Sequence, residues 1–138
     1  MAKNKSILFS LILLAFLAMT GCTNDKAVIL FNHQPITKET ILNNSKEFTL
    51  GRKVYYILLV KKPLQSDIIR VQILKQEDKA DLGGVKIYYA DDFRLYKDQV
   101  YYYNDYVVIR EAGHYIMQIF SKDDMVHPLA ISDFYVRD

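Results

Sequence analysis

From residue 48 onward the chain alternates between apolar and polar positions with a period of two. Val54, Tyr56, Leu58 and Val60 share one parity, with Tyr55, Ile57 and Leu59 between them. A run apolar on both faces predicts a central strand covered on each side, or one with a face turned to a partner. Ile69, Val71 and Ile73 alternate with Arg70 and Gln72, as a half-buried strand does. Val85, Ile87 and Tyr89 make a further strand, residues 100–109 another, and Tyr115, Met117 and Ile119 another after Gly113. Leu129, Ile131, Phe134 and Val136 close the pattern. Ala27 to Phe31 predicts a first, edge strand; Phe48 and Leu50 precede a turn at Gly51 and Arg52.

The interruptions predict turns. Pro63, the polar stretch through residues 76–84 with Gly83 and Gly84, the acids Asp91 and Asp92, and residues 122–124 separate the runs. Thr37 is placed to cap one helical turn over Ile41 and Leu42. Two places break parity. Asn104 and Asp105 interrupt one strand, and the spacing between Ile131 and Phe134 is odd, so bulges are expected at 104–105 and near Ser132. Six or seven short strands with no 3.6-residue periodicity predict an all-β, antiparallel sandwich of about seven strands, with a small barrel as the alternative. Eleven Tyr and seven Phe against five Gly and three Pro agree with that choice, because aromatic side chains suit a pleated surface.

The first 21 residues follow a different rule. Lys3 and Lys5 precede an apolar stretch over residues 6–18. As a helix it would reach roughly 20 Å, short of the about 30 Å needed to cross a bilayer core. Those are the proportions of an export signal. The signal contains both basic residues and no acid, so the 18 basic residues of the chain fall to 16 beyond it, against 16 acidic ones. A balanced chain gives no electrostatic case for binding nucleic acid or anionic lipid.

The signal ends in Leu17, Ala18, Met19, Thr20, Gly21 and then Cys22, the only cysteine. This resembles the bacterial lipoprotein family, whose signals end in an apolar residue, two small ones and a cysteine. Met19 stands where leucine is commonest. The resemblance implies cleavage between Gly21 and Cys22, a diacylglycerol on the Cys22 thiol, and an amine open to N-acylation; no other cofactor is expected. It divides the chain into a helical signal over 1–21, a lipidated tether over 22–26 and one domain over 27–138. With Thr23 rather than Asp after the cysteine, it also implies the outer membrane in a two-membrane bacterium, and the outer face of the plasma membrane in a one-membrane organism.

The end of the chain carries a second resemblance. Gly113-His114-Tyr115 leads into an alternating strand, a polar hairpin and a last strand through Pro128, Leu129 and Phe134. It looks like the final two strands of immunoglobulin-like domains, with Tyr115 where such domains keep a corner tyrosine. The cysteine pair and tryptophan of antibody domains are absent.

Catalytic chemistry finds little in the sequence. No Gly-x-Ser-x-Gly turn occurs, the one cysteine is committed to lipid, and His33, His114 and His127 lack any short metal-ligand spacing. Asp91-Asp92 and Asp123-Asp124 are adjacent acids rather than carboxylates facing each other across a substrate. Gly83-Gly84 lacks the further residues of a phosphate loop. No catalytic or metal residue is expected.

Tyrosines cluster at 55–56, 88–89 and 101–103 with Tyr106. Adjacent strand residues face opposite sides, so each cluster should turn a ring away from the core. Tyr88, Tyr101 and Tyr103 are the candidates for an exposed binding stripe, against the plainer role of cross-strand pairing. The expectation is a membrane-anchored envelope lipoprotein with a non-enzymatic module that binds a protein partner. A glycan or small apolar ligand, and a hydrolase assembled from distant turns, are the alternatives.

Overall fold

The computed structural model describes residues 27–77 and 84–138. The signal, the Gly21–Cys22 junction and the tether lie outside the described residues, as does most of the turn expected around Gly83. Among the described residues there are eight strands: β1 (Val28–Asn32), β2 (Glu47–Thr49), β3 (Lys53–Leu59), β4 (Ile68–Gln76), β5 (Val85–Arg94), β6 (Tyr102–Val108), β7 (Gly113–Ser121) and β8 (Ala130–Arg137). They form a three-stranded sheet, β1-β3-β6, and a five-stranded sheet, β2-β8-β7-β4-β5. The sheets pack as a sandwich, and the barrel alternative is set aside.

All pairings are antiparallel except β2 with β8, which is parallel. That exception follows from a crossing between sheets. After β2 the chain turns at Gly51, whose φ of 74° only glycine adopts without strain, and the Arg52 N–H closes the turn on the Thr49 carbonyl at 3.1 Å. The turn stays tied to both sides, Leu50 N–H donating to the Arg137 carbonyl and Gly51 N–H to that of Ile109.

Alternation builds the core. Inward residues of β3 (Val54, Tyr56, Leu58), β4 (Ile69, Val71, Ile73), β7 (Tyr115, Met117, Ile119) and β8 (Phe134, Val136) are all buried, with Phe31 and Phe48 against Phe134. Among the described residues no buried side-chain N or O lacks a partner. Tyr115 is fully buried, and its hydroxyl donates to the Glu111 carbonyl at 2.6 Å, pinning the turn before β7 to the strand it opens. The expected capped turn is present: Thr37 N–H donates to Thr40 Oγ1 at 2.8 Å, Thr40 N–H to Thr37 Oγ1 at 3.3 Å, and Ile41 N–H to the Thr37 carbonyl at 2.9 Å.

Three local expectations are corrected. Asp91 and Asp92 lie inside β5, not in a turn, because β5 is an edge strand and Asp92 faces outward onto Arg70 of β4, at 2.7 Å. The register through Asn104 and Asp105 is unbroken, as is that of β8 through Ser132. In β8 the small Ala130 takes the inward position and Ile131 faces solvent, so the odd apolar spacing required no bulge. The bulge lies elsewhere. Ile73 pairs with Tyr89 and Leu74 with Ile87, which leaves Tyr88 as the extra residue.

Candidate binding surfaces

The bulge decides the fate of one candidate tyrosine. It lets Tyr88 and Tyr89, though adjacent, both pack against the core. Tyr88 meets Tyr115 edge-on with 5.2 Å between ring centroids, and its hydroxyl accepts the Arg110 N–H at 3.1 Å. Tyr103 is not exposed either. It is 6% exposed on the inward parity of β6, packed on Phe93 at 5.6 Å and Tyr56 at 6.2 Å, and it donates to Asp105. Burial is the main reason its phenol ionises well above the usual range, the charge of Asp105 adding to it. Tyr101, 52% exposed, precedes β6 at the tip of the sandwich. The three do not share a face, and the expected stripe is replaced.

The tyrosines that do face outward have the other parity. Across β1-β3-β6 the outward rows are Val28, Leu59 and Tyr102; then Leu30, Ile57 and Asn104; then Asn32, Tyr55 and Tyr106. None of these nine side chains is charged. Tyr55 and Tyr106 pair at 5.7 Å, and the Lys53 ammonium lies 4.4 Å from the Tyr106 ring centroid at the border. Val28 and Tyr106 are exposed, whereas Asn32 and Ile57 are buried at 6% and 7%. Pro35 and Ile36, from the segment after β1, meet Tyr55, Tyr56, Asn104, Asp105 and Tyr106 in a cleft of about 240 Å³, which the Asp105 carboxylate makes partly acidic. The free edge of β1 is partly closed by the same segment: Asn44 Oδ1 accepts the Phe31 N–H at 2.9 Å, and the Ser45 N–H reaches the Phe31 carbonyl.

The outer face of the five-stranded sheet is chemically different. Arg70 and Lys122 both bind Asp92 at 2.7 Å, and these bonds lower its carboxyl to about 2. Gln72 bonds Gln118 at 3.0 Å. His114 stacks on Tyr135 at 4.3 Å, with its ring nitrogens 2.6 Å from Gln76 Oε1 and 2.7 Å from Asp133 Oδ2. Asp133 is held below the usual carboxylate range, first by the His114 hydrogen bond and also by Lys46. His114 has no nucleophile among these partners.

His33 Nε2 lies 3.1 Å from Ser45 Oγ, an exposed pair with no cleft at it among those described. A serine, acids and a histidine also gather at the β7–β8 hairpin. Ser121, Asp123, Asp124 and His127 border an open cleft of about 300 Å³ together with Ala27 and residues 60–65. Their bonds are those of a turn. The Ser121 hydroxyl donates to Asp123 rather than to a histidine. Asp124 accepts the Val126 and His127 N–H groups and meets the His127 ring at 3.1 Å. A serine nucleophile needs a base in hydrogen-bond reach, and Ser121 is bonded to a carboxylate instead. Among the described residues no group of three or more His, Cys, Asp or Glu side chains is placed to hold a metal ion.

No protein-family model and no curated protein matches the chain. Among solved structures, an immunoglobulin-like protein from Pseudomonas aeruginosa superposes on 83% of this chain and 99% of its own, with a TM-score of 0.50 at 15% identity. A superoxide reductase from Ignicoccus hospitalis covers 87% of this chain and 86% of its own, with a TM-score of 0.45 at 7% identity. A CARDB domain from Pyrococcus furiosus covers 81% and 86%, with a TM-score of 0.39 at 12% identity. At these identities the first likeness concerns the fold, and the other two add nothing to it. The sheet order agrees: β8-β7-β4-β5 has the G-F-C-C′ arrangement, β1-β3-β6 that of A-B-E, and Tyr115 is the corner tyrosine. The protein is an immunoglobulin-like β-sandwich. Met117 stands two residues after the corner, where antibody domains have their second cysteine.

Proposed function

We propose that the protein is an envelope lipoprotein, anchored through Cys22, whose sandwich is a non-enzymatic binding or assembly module. Its protein partner docks on the outer face of β1-β3-β6. The observation that carries this reading is that the nine outward side chains on that sheet carry no charge and that seven of them are aromatic or aliphatic, Val28 and Tyr106 standing exposed. Depletion of charge with enrichment of aromatic residues marks the centre of protein interfaces. Lys53 at the border and the Pro35–Ile36 cleft supply a polar rim and a pocket for an anchoring side chain. The fold supports a binding role by analogy alone. A small-ligand role is less well supported, since the clefts are shallow and open and the space between the sheets is filled.

The test is photo-crosslinking in cells, with a benzoylphenylalanine placed in turn at Val28, Tyr106 and, on the opposite sheet, Ile131. The expected result is a discrete adduct from the first two positions and none from the third. Adducts from Ile131 alone, or from none of the three, would remove this face from the account.

A further inference from the structure

The chain enters the sandwich at one particular end. Val28 pairs with Leu59 at the close of β3, and Leu59 with Tyr102 at the start of β6. Ile68 opens β4 beside Arg94, and Ala130 opens β8 opposite Ile119. The β3–β4, β5–β6 and β7–β8 connections therefore gather where Ala27 lies. Backbone bonds join them into one surface: Val60 N–H to the Tyr101 carbonyl at 3.0 Å, Leu64 to Val100 at 2.9 Å, Leu95 to Asp67 at 2.7 Å, and Lys122 to Ile68 at 3.0 Å.

Large hydrophobic side chains stand exposed on this surface between balanced charges. Tyr96 is 77% exposed and Val126 79%, and Val100, Tyr101 and Met125 are exposed beside them. Among the described residues the only other large hydrophobic side chain exposed in a connection is Leu42. The charges cancel: Lys61, Lys62, Lys97 and Lys122 against Asp67, Asp98, Asp123 and Asp124. Tyrosine with aliphatic neighbours and no net charge suits the boundary between lipid headgroups and acyl chains. Distance points the same way. Five residue steps separate Cys22 from Ala27, a reach of at most about 18 Å when fully extended.

We propose that this loop end rests on the lipid bilayer, with Tyr96, Val100, Tyr101, Met125 and Val126 entering the headgroup region as a second contact beside the acyl anchor. The inference rests on the lipoprotein reading for its tether. Its consequence is an orientation. The loops that meet ligands in immunoglobulin variable domains are here turned to the membrane, and the outer face of β1-β3-β6 stands upright beside it, open to a partner.

The test separates the contact from the anchoring reaction. The chain processed at Cys22 contains every described strand. It is coupled through that thiol to a maleimide phospholipid in phosphatidylcholine nanodiscs, so the tether exists whether or not cells make one. A headgroup spin label should broaden the methyl resonances of Met125 and Val126 several-fold more than that of Val85, at the opposite end of β4-β5. Changing Tyr96→Ser and Val126→Ser together should reduce the broadening at Met125 about tenfold without altering thermal unfolding, since both side chains are exposed. Adding phosphatidylglycerol or salt should change neither result. Equal, weak broadening at both ends would overturn the proposal. So would a contact that requires phosphatidylglycerol, or loops that stay free on lipid but are shielded from labelling in native envelopes, which would assign them to a protein. Mass spectrometry of the cellular chain reports on the anchor alone, so the two failures are distinguishable.

Discussion

Replacing Tyr115 by Phe isolates one bond of the fold. The ring keeps its edge-on contact with Tyr88 and its stacking at 5.7 Å on Phe134, and only the 2.6 Å hydrogen bond to the Glu111 carbonyl is lost. A net hydrogen bond contributes about 1 kcal/mol, and an acceptor left unsatisfied in the interior costs up to about 3 kcal/mol. Glu111 is exposed, so water can replace the phenol at its carbonyl and the lower figure applies. The expected loss is about 1 kcal/mol, or roughly 4–6 °C in Tm for a domain of this size. Urea unfolding followed by circular dichroism and tyrosine fluorescence measures it, the chain having no tryptophan. The phenol itself gives a second reading. Burial, with the neighbouring Tyr88 and Glu111 charges, pushes it up to about 12. Its contribution to stability should be complete below about pH 10 and be lost as pH rises through 12, because the unfolded chain ionises first. Tyr115→Phe should remove that part of the alkaline decline. A loss under about 0.3 kcal/mol, or an alkaline limb identical in the variant, would refute the corner bond as a structural tie.

Other outcomes follow from the same geometry. Asp92, lowered to about 2 by Arg70 and then Lys122, should stabilise the fold above its unfolded value near 3.8 and cease to do so as pH falls through 2. An NMR titration of its carboxyl in Arg70→Ala should show the midpoint rising toward 3.8 but not reaching it, since Lys122 remains. Gly51→Ala should cost about 1 kcal/mol in urea unfolding, wholly from the backbone, because nothing lies within 4 Å of the added methyl group. D-alanine at the same position should cost nothing.

Where period-two alternation met a sheet with one buried face, strands were legible. The inward residues of β4 and β7 fall on the expected parity, and Tyr115 was placed at its corner from position alone. The sequence was silent where a residue's face depends on its partner strand. Tyr88 turns inward because of a bulge that only the β4-β5 pairing defines, and Tyr103 does so because its parity is set by β3 across the sheet. Ile131 reads as core by composition, yet Ala130 fits beside Ile119 and Ile131 is left outside. Asp91 and Asp92 read as a turn because acids are rare in strands, but an edge strand facing Arg70 accommodates them. The proposed docking face could have been found by pairing Tyr55 with Tyr106 once β3 and β6 were known to be neighbours. Neither the order of strands within a sheet nor the gathering of three loops beside Ala27 can be read from alternation.

The anchor is tested most directly by intact-mass measurement of the protein isolated from its own cells. The account predicts a polypeptide starting at Cys22 and heavier than its sequence by a diacylglycerol, with or without a further acyl chain on the amine. A mass matching residues 1–138, or a chain with a free Cys22 thiol, would contradict it.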